Sequence, residues 1–329
     1  MEKEKNTSVS LNKKIKLVFF GNERLATGVV TVAPTLRALI AAGYDVVAVV
    51  SNYERGTSRN ARTLEIQYIA DAHNIPVLLP EKPADIADIL QSYDAAVAVL
   101  VAYGRIVPQE IINIFPRGIV NIHPSLLPLH RGPTPLESVI LNGDDRTGVS
   151  VMSLVKAMDA GPVYGQSEVP LSGSETKQEL ADSLLEIGSV MVIELLPGIL
   201  DGSIEAKPQD DVAATYDKLI AKDDGKIDTT KSAERLEREI RAYAWWPKSY
   251  TTLKGKEVII TAAHVVPTNH GTPGELTTDK DTGILMIDTA NGSLCIDKIK
   301  PAGKNEMTAK QFLNGYDSKS FNIKKTEGY

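Results

Sequence analysis

From residue 15 to residue 122, short apolar runs alternate with amphipathic segments, and this alternation constrains the fold of the 329-residue chain more than any other feature. Ile15–Phe20, Asp45–Val50, Pro76–Leu79, Ala95–Val101 and Gly118–Ile122 read as strands, with Ala26–Ala42, Ala61–His73 and Ala84–Gln91 as helices between them. A strand that reaches its neighbour through a crossover helix lies parallel to it, so the pattern predicts a parallel sheet with helices on both faces. The strands are apolar at nearly every residue, as they must be when both faces are covered. An open sheet of this kind presents its ligand site at the carboxyl ends of its strands.

Gly21 ends the first strand, but the segment GNERLATG lacks the G-x-G-x-x-G spacing that brings backbone close to a pyrophosphate, which argues against a nicotinamide cofactor. Further along, Thr147–Val155 and Val163–Val169 read as strands and Glu175–Leu196 as a long helix stopped by Pro197 and Gly198. Residues 201–216 mix Gly, Pro and acidic residues without periodicity and read as a linker or wrapped connection. Ser232 can cap a helix to Tyr243, with Ala233, Leu236, Ile240 and Tyr243 on one stripe. Beyond Pro247 the pattern turns to short β-rich runs (Glu257–Ala262, Gly283–Asp288, Leu294–Lys300), the signature of a small β-barrel.

The chain thus divides into a polar tail, 1–14, a catalytic α/β domain, 15–200, a linker, 201–216, and a C-terminal barrel domain, 217–329. No stretch reaches the roughly 18 to 20 uninterrupted apolar residues of a membrane helix, and the first fourteen residues lack a signal peptide's apolar core. The single cysteine, Cys295, cannot close an intramolecular disulfide; it lies in an alternating apolar stretch and is expected in the core. A cytoplasmic protein without a membrane partner is the expectation. The net charge of -6 is unevenly spread: residues 1–210 carry 18 basic and 25 acidic side chains, residues 211–329 carry 18 and 17. The overall sign weakens the case for a nucleic-acid partner, and the distribution softens that objection.

The chemistry concentrates in Gly118–Gly165, GIVNIHPSLLPLHRGPTPLESVILNGDDRTGVSVMSLVKAMDAGPVYG. Asn121 and His123 are two apart at a strand end and point to the same side of it. Pro124 and Pro128 bracket Ser125, Leu126 and Leu127 in a stiff loop, and Asp159 precedes Ala160-Gly161, small residues that permit close backbone approach. An amide and an imidazole can both donate to an oxygen gaining negative charge, while a carboxylate orients or charges the imidazole. No Ser–His or Cys–His pair supplies a covalent nucleophile, and His123 has no companion at metal-ligand spacing, so no metal is expected. The set suits direct attack of an amine on an activated carbonyl. Taken alone, a histidine after an apolar strand is more often a structural residue than a catalytic one.

The wider pattern decides between them. V-N-I-H-P-S-L-L-P, then R-G and P, then G-D-x-x-T-G-V-S-x-M, then M-D-A-G-P resembles the core of the folate-dependent formyltransferases in order and content. The resemblance implies a Rossmann-like formyltransferase domain with a smaller, OB-like C-terminal barrel, and 10-formyltetrahydrofolate as the formyl donor. It further implies that Asn121 and His123 stabilise the tetrahedral oxyanion and that Asp159 assists proton transfer. Ser125, Leu126, Leu127 and Pro128 would line the folate pocket, with the turn Val101, Ala102, Tyr103, Gly104 beside the pterin.

Ala214–Leu219, Lys226–Asp228, Leu236–Ala242, Trp246-Pro247 and Pro301–Met307 resemble the connector and distal part of the tRNA-directed members of that family. They imply that the acceptor is the amino group of methionyl initiator tRNA and that the C-terminal barrel binds tRNA; the enzyme is expected to act as a monomer. One segment departs from the family. SNYERGTSRNART keeps Arg55, Arg59 and Arg62 as candidate tRNA contacts but lacks the usual lysines and prolines, and a solvated loop is the alternative. The competing functions are N-formyltransfer to a nucleotide-linked amino sugar or other small amine, hydrolysis of formyltetrahydrofolate, and non-catalytic RNA binding.

Overall fold

The computed structural model describes residues 14–22, 28–52, 65–253 and 256–315. The first domain is a seven-stranded sheet. Its strands are β1 (Lys16–Gly21), β2 (Asp45–Val50), β3 (Val77–Leu78), β4 (Val97–Val101), β5 (Ile119–His123), β6 (Arg146–Ser153) and β7 (Val163–Pro170). They run in the order β3-β2-β1-β4-β5-β6-β7. The first five are parallel, while β6 and β7 add antiparallel strands beyond β5. The strand order reverses between β1 and β4, which opens a crevice at their carboxyl ends.

The connecting helices are α1 (Pro34–Ala41), α2 (Glu65–Ala72), α3 (Ala87–Ser92), α4 (Gln109–Ile112), α5 (Pro135–Asn142) and α6 (Lys177–Asp201). They seal an apolar core on each face of the sheet, one around Leu17, Leu36, Val99 and Leu184, the other around Phe20, Leu90, Ile111 and Phe115.

Two expectations about helices fail for local reasons. The first helix does not include residues 28–33: Pro34 takes its first position, and Ala33 before it is left-handed with φ 49°. The residue before a proline is disfavoured in the α region, whereas proline suits the first turn. The long helix is not stopped by Pro197 and Gly198 but runs to Asp201, where left-handed Gly202 caps it. Pro197 sits only a turn from that end, and Leu196 and Ile199 are buried on either side of it, so packing holds the segment helical despite the missing donor.

Among the described residues, α6 is the one helix long and apolar enough to cross a membrane, with a mean hydropathy of 1.8 over a window that polar residues interrupt. Its apolar stripe, Leu180, Leu184, Leu185, Val192 and Leu196, is buried in the core. Gly188 brings it against β5, because a Cβ there would lie 2.5 Å from the Ile122 side chain. At its start, Lys177 pairs with Glu137 of α5 at 3.1 Å, both fully buried.

The second domain contains α7 (Ala233–Ala242), β8 (Ser249–Leu253), β9 (Lys256–Val266), β10 (Leu276–Asp279), β11 (Ile284–Asp288), β12 (Ser293–Pro301), β13 (Met307–Thr308) and α8 (Ala309–Gly315). Its antiparallel, barrel-like sheet is ordered β10-β11-β12-β9-β8, with β13 on β12. Leu253, Val258, Ile260, Leu285, Ile287, Leu294 and Phe312 fill it. Cys295 is not in this core. It is half-buried on the opposite face of β12 from Leu294 and Ile296, because side chains alternate along a strand. Burial, helped by Asp297, raises its thiol pKa.

The helix α7 joins the two domains. Leu236 and Ile240 enter the barrel core, and Ala242 and the following Tyr243 enter the core of the first domain. Ser232 caps it through Arg235 N–H, and Arg235 and Arg238 donate to the carbonyls of Leu141 and Asn142 at the end of α5.

Candidate active site

Asn121 and His123 occupy the end of β5, flanked by β4 through the pair Leu100–Asn121 and by β6 through Asn121–Met152 and His123–Ser150. Both are buried, with 6% and 5% exposure. The Asn121 amide has no hydrogen-bond partner among the described residues, so its two donors remain available to a substrate oxygen.

The imidazole of His123 is fixed from one side. Its Nε2 lies 2.9 Å from the carbonyl oxygen of His130. A carbonyl only accepts, so Nε2 carries the hydrogen, and Nδ1 is left facing Oδ1 of Asp159 at 3.8 Å. Neutral, Nδ1 offers a lone pair; protonated, it is a donor beside a carboxylate.

Asp159 comes from the turn between β6 and β7 and has a left-handed backbone, φ 47°, a conformation that Asp tolerates better than most residues. Its Oδ2 accepts the Gly132 N–H at 2.8 Å, which leaves Oδ1 toward His123. The turn lies close to β6 because Gly161 has no side chain: a Cβ there would sit 1.8 Å from the Ser153 carbonyl oxygen. Asn121, His123 and Asp159 therefore converge at the carboxyl end of β5, from two sequence segments.

The residues expected around the folate divide. The turn after β4 adjoins the end of β5, since Val101 pairs with Ile122. Ala102 and Gly104 are left-handed there, with φ 50° and 72°. Tyr103, however, points its ring into the core, edge-on to Phe20 at 5.4 Å, while its backbone carbonyl accepts from the Asn52 side chain. Burial raises its phenol pKa, with Arg105 opposing.

In the loop after β5, Leu127-Pro128 is a cis bond. The Ser125 hydroxyl donates to the Leu129 carbonyl within the loop, and Ser150 Oγ bridges the Ser125 carbonyl and the Leu127 N–H. Gln166 Nε2 donates to the Leu127 carbonyl at 2.7 Å. Leu127 is buried, and Leu126 lines a cavity of about 520 Å³ with His130, Asp144, Tyr216 and Asp217. Arg55, Arg59 and Arg62 lie outside the described residues.

Three supporting residues escaped the sequence reading. Arg131, 1% exposed, donates to Gln209 Oε1 at 2.8 and 3.0 Å, to Asp211 at 2.7 Å and to the Tyr216 hydroxyl at 2.9 Å. Gln209 in turn donates to the carbonyls of Asp159 and Gly161. His130 bridges Asp144 and Asp217 through its ring. The segment read as a linker or wrapped connection is thus a strap across the site, pinned by backbone bonds Val163–Lys207, Arg131–Thr215 and Arg131–Asp217. Its lack of periodicity reflects side chains serving fixed polar partners rather than an apolar face; the R-G pair between the loop and α5 was the only sequence signal.

With this geometry in hand, comparison with known proteins is decisive. The formyl transferase family model matches residues 20–196 and the formyl transferase C-terminal domain model residues 219–317. The methionyl-tRNA formyltransferase of Chloroflexus aggregans is 37% identical over 306 residues, 92% of this chain and 97% of the relative. That of Roseiflexus castenholzii is 38% identical over 308 residues, 92% and 96%. The chain belongs to the methionyl-tRNA formyltransferase family.

Solved structures agree on the fold of this family member. HypX from Aquifex aeolicus in complex with tetrahydrofolic acid superposes with a TM-score of 0.62 at 17% identity, covering 95% of this chain and 51% of that one. The N-formyltransferase from Helicobacter canadensis, in complex with folinic acid and dTDP-3-aminofucose, gives 0.64 at 19% identity, covering 86% and 98%. Residues 197–218 fall between the two family models, so the strap over the site is covered by neither.

Proposed function

We propose that this chain transfers the formyl group of 10-formyltetrahydrofolate to the α-amino group of methionyl initiator tRNA, in the cytoplasm, as a step that prepares translation initiation. The observation that carries the assignment is the meeting of an unpartnered amide, an oriented imidazole and a carboxylate at one strand end, in a chain alike to methionyl-tRNA formyltransferases over nearly its whole length.

The bound folate supplies an activated formyl carbonyl, and the protein supplies the rest. As the amine attacks, negative charge grows on the carbonyl oxygen, and the Asn121 amide and the Nδ1–H of a protonated His123 are the donors that meet it. The carboxylate of Asp159 stabilises that imidazolium and helps move the proton that the attacking amine loses to the N10 nitrogen of the donor, whose bond to the formyl carbon breaks so that tetrahydrofolate leaves. Donors held in place before reaction cost no reorganisation when the charge develops, which is why the backbone bonds from Gly132 and His130 matter. The free donors of Asn121 and the turn Val101–Gly104 beside it fit a carbonyl held against a folate.

The roles divide along the chain: residues 15–200 carry the chemistry, and the barrel from 217 onward, with Arg55, Arg59 and Arg62, engages the tRNA as a single protomer. The test offers 10-formyltetrahydrofolate carrying a labelled formyl group with charged initiator tRNA, a nucleotide-linked amino sugar, or water. Label on the methionyl nitrogen of the tRNA supports the assignment. Label passing preferentially to the amino sugar or released as formate overturns it.

A further inference from the structure

His130 stands out because the mechanism uses its backbone carbonyl and leaves its ring unassigned. It lies in the loop between β5 and α5 with a left-handed backbone, φ 58°. Side chains other than glycine seldom hold that conformation, and although histidine enters it more readily than most, it persists where the surroundings fix it. Here they do so at four points. The backbone N–H donates to Thr215 Oγ1 at 2.8 Å, Nδ1 lies 3.2 Å from Asp217 Oδ1, and Nε2 lies 3.0 Å from Asp144 Oδ2. The fourth contact is the His130 carbonyl, which accepts from His123 Nε2 at 2.9 Å. Carboxylates only accept, so both ring nitrogens must donate, and the bonded form is the imidazolium.

We propose that His130 is a positioning residue for formyl transfer: its ring, clamped between Asp144 and Asp217, fixes the loop so that its own carbonyl holds His123 with Nδ1 toward Asp159. The role rests on the formyl-transfer assignment above.

The charged and titratable groups that line one cavity with the ring are Asp144 and Asp145 from the α5–β6 turn, Arg146 at the start of β6, and Tyr216, Asp217 and Lys218 from the strap and the residues after it. Asp217 and Asp144 are those in bonding contact. Burial by itself would lower the His130 pKa, but bonds and charge from Asp217, then Asp144, more than offset it and hold the value above the ordinary 6.5. The clamp is complete below pH 6.5 and is lost as pH rises through this raised value. One carboxylate then meets a lone pair and the loop carbonyl loses its anchor.

The experiment is a rapid-quench pH profile of single-turnover formyl transfer to charged initiator tRNA by the wild-type chain, Asp217→Asn and Asp144→Asn. It is paired with NMR titration of the five histidines, with His130 assigned through His130→Asn. The Asp144 side chain is 32% exposed, which makes its variant the safer one to fold. Removing either carboxylate should move both the His130 titration and the alkaline limb of the rate toward acid by about one pH unit, with KM for the formyl donor unchanged. A merely structural role would lower thermal stability and leave the limb in place. Wild-type turnover with an unmoved limb in both variants, or full turnover by His130→Asn at every pH, overturns the role of His130 alone. Absence of wild-type turnover overturns the formyl-transfer assignment and this role with it.

Discussion

Replacing Asp159 by Asn isolates the charge that the mechanism requires. Asn is nearly isosteric, tolerates the left-handed φ of 47° that position 159 adopts, and keeps an oxygen to accept the Gly132 N–H now bound at 2.8 Å. What it loses is the negative charge 3.8 Å from His123 Nδ1. A unit pair at that separation is worth about 1 kcal/mol with the screening of bulk water and about 4 kcal/mol at an effective dielectric near 20. With His123 6% and Asp159 17% exposed, the site belongs nearer the second figure.

Since about 1.4 kcal/mol is a factor of ten in rate, the variant should transfer formyl between roughly tenfold and a thousandfold more slowly. Its melting temperature should stay within about 2 °C of the parent, because no hydrogen bond is left unmade. The assay is single-turnover transfer to charged initiator tRNA at saturating donor, beside a thermal melt. A variant that folds normally and keeps more than half of the parent rate would refute the electrostatic role of Asp159.

Gln209→Leu should show that the strap is part of the site. It removes two acceptor bonds from the buried Arg131 guanidinium and two donor bonds to the carbonyls of Asp159 and Gly161. A loss of about 2 to 4 kcal/mol in stability is expected from unsatisfied buried groups, read as a melting temperature lower by about 5 to 10 °C, together with slower turnover; an unchanged melt would mean that the strap carries no load there. Raising salt from 50 to 200 mM should raise KM for the tRNA by at least about tenfold while leaving KM for the folate unchanged, because phosphate contacts release counterions. A flat response would favour a small acceptor.

Much of the first domain was legible because its strands are buried on both faces and therefore apolar at nearly every position, as in Val97–Val101. The positions of Asn121 and His123 followed from the same strand pattern, and the small pair Ala160-Gly161 after Asp159 announced the close approach that the Ser153 carbonyl makes. The failures have a common cause in tertiary context. Pro197 usually ends a helix, but buried neighbours carried α6 past it. The Tyr103 ring could not be oriented from its neighbours in sequence, because Phe20, from a distant strand, packs edge-on against it. Cys295 was misplaced by one register step on a strand, where a shift of one residue exchanges inside for outside. Gln209, Arg131 and His130 act through partners up to 87 residues away, and no local pattern encodes such bonds.

The most direct measurement is the rapid-quench rate of formyl transfer from 10-formyltetrahydrofolate to charged initiator tRNA by His123→Ala, with folate binding followed in parallel. A rate lower by about 100-fold or more with donor affinity intact is predicted for loss of an oxyanion donor. A rate near that of the unsubstituted chain would contradict the placement of the chemistry at the end of β5.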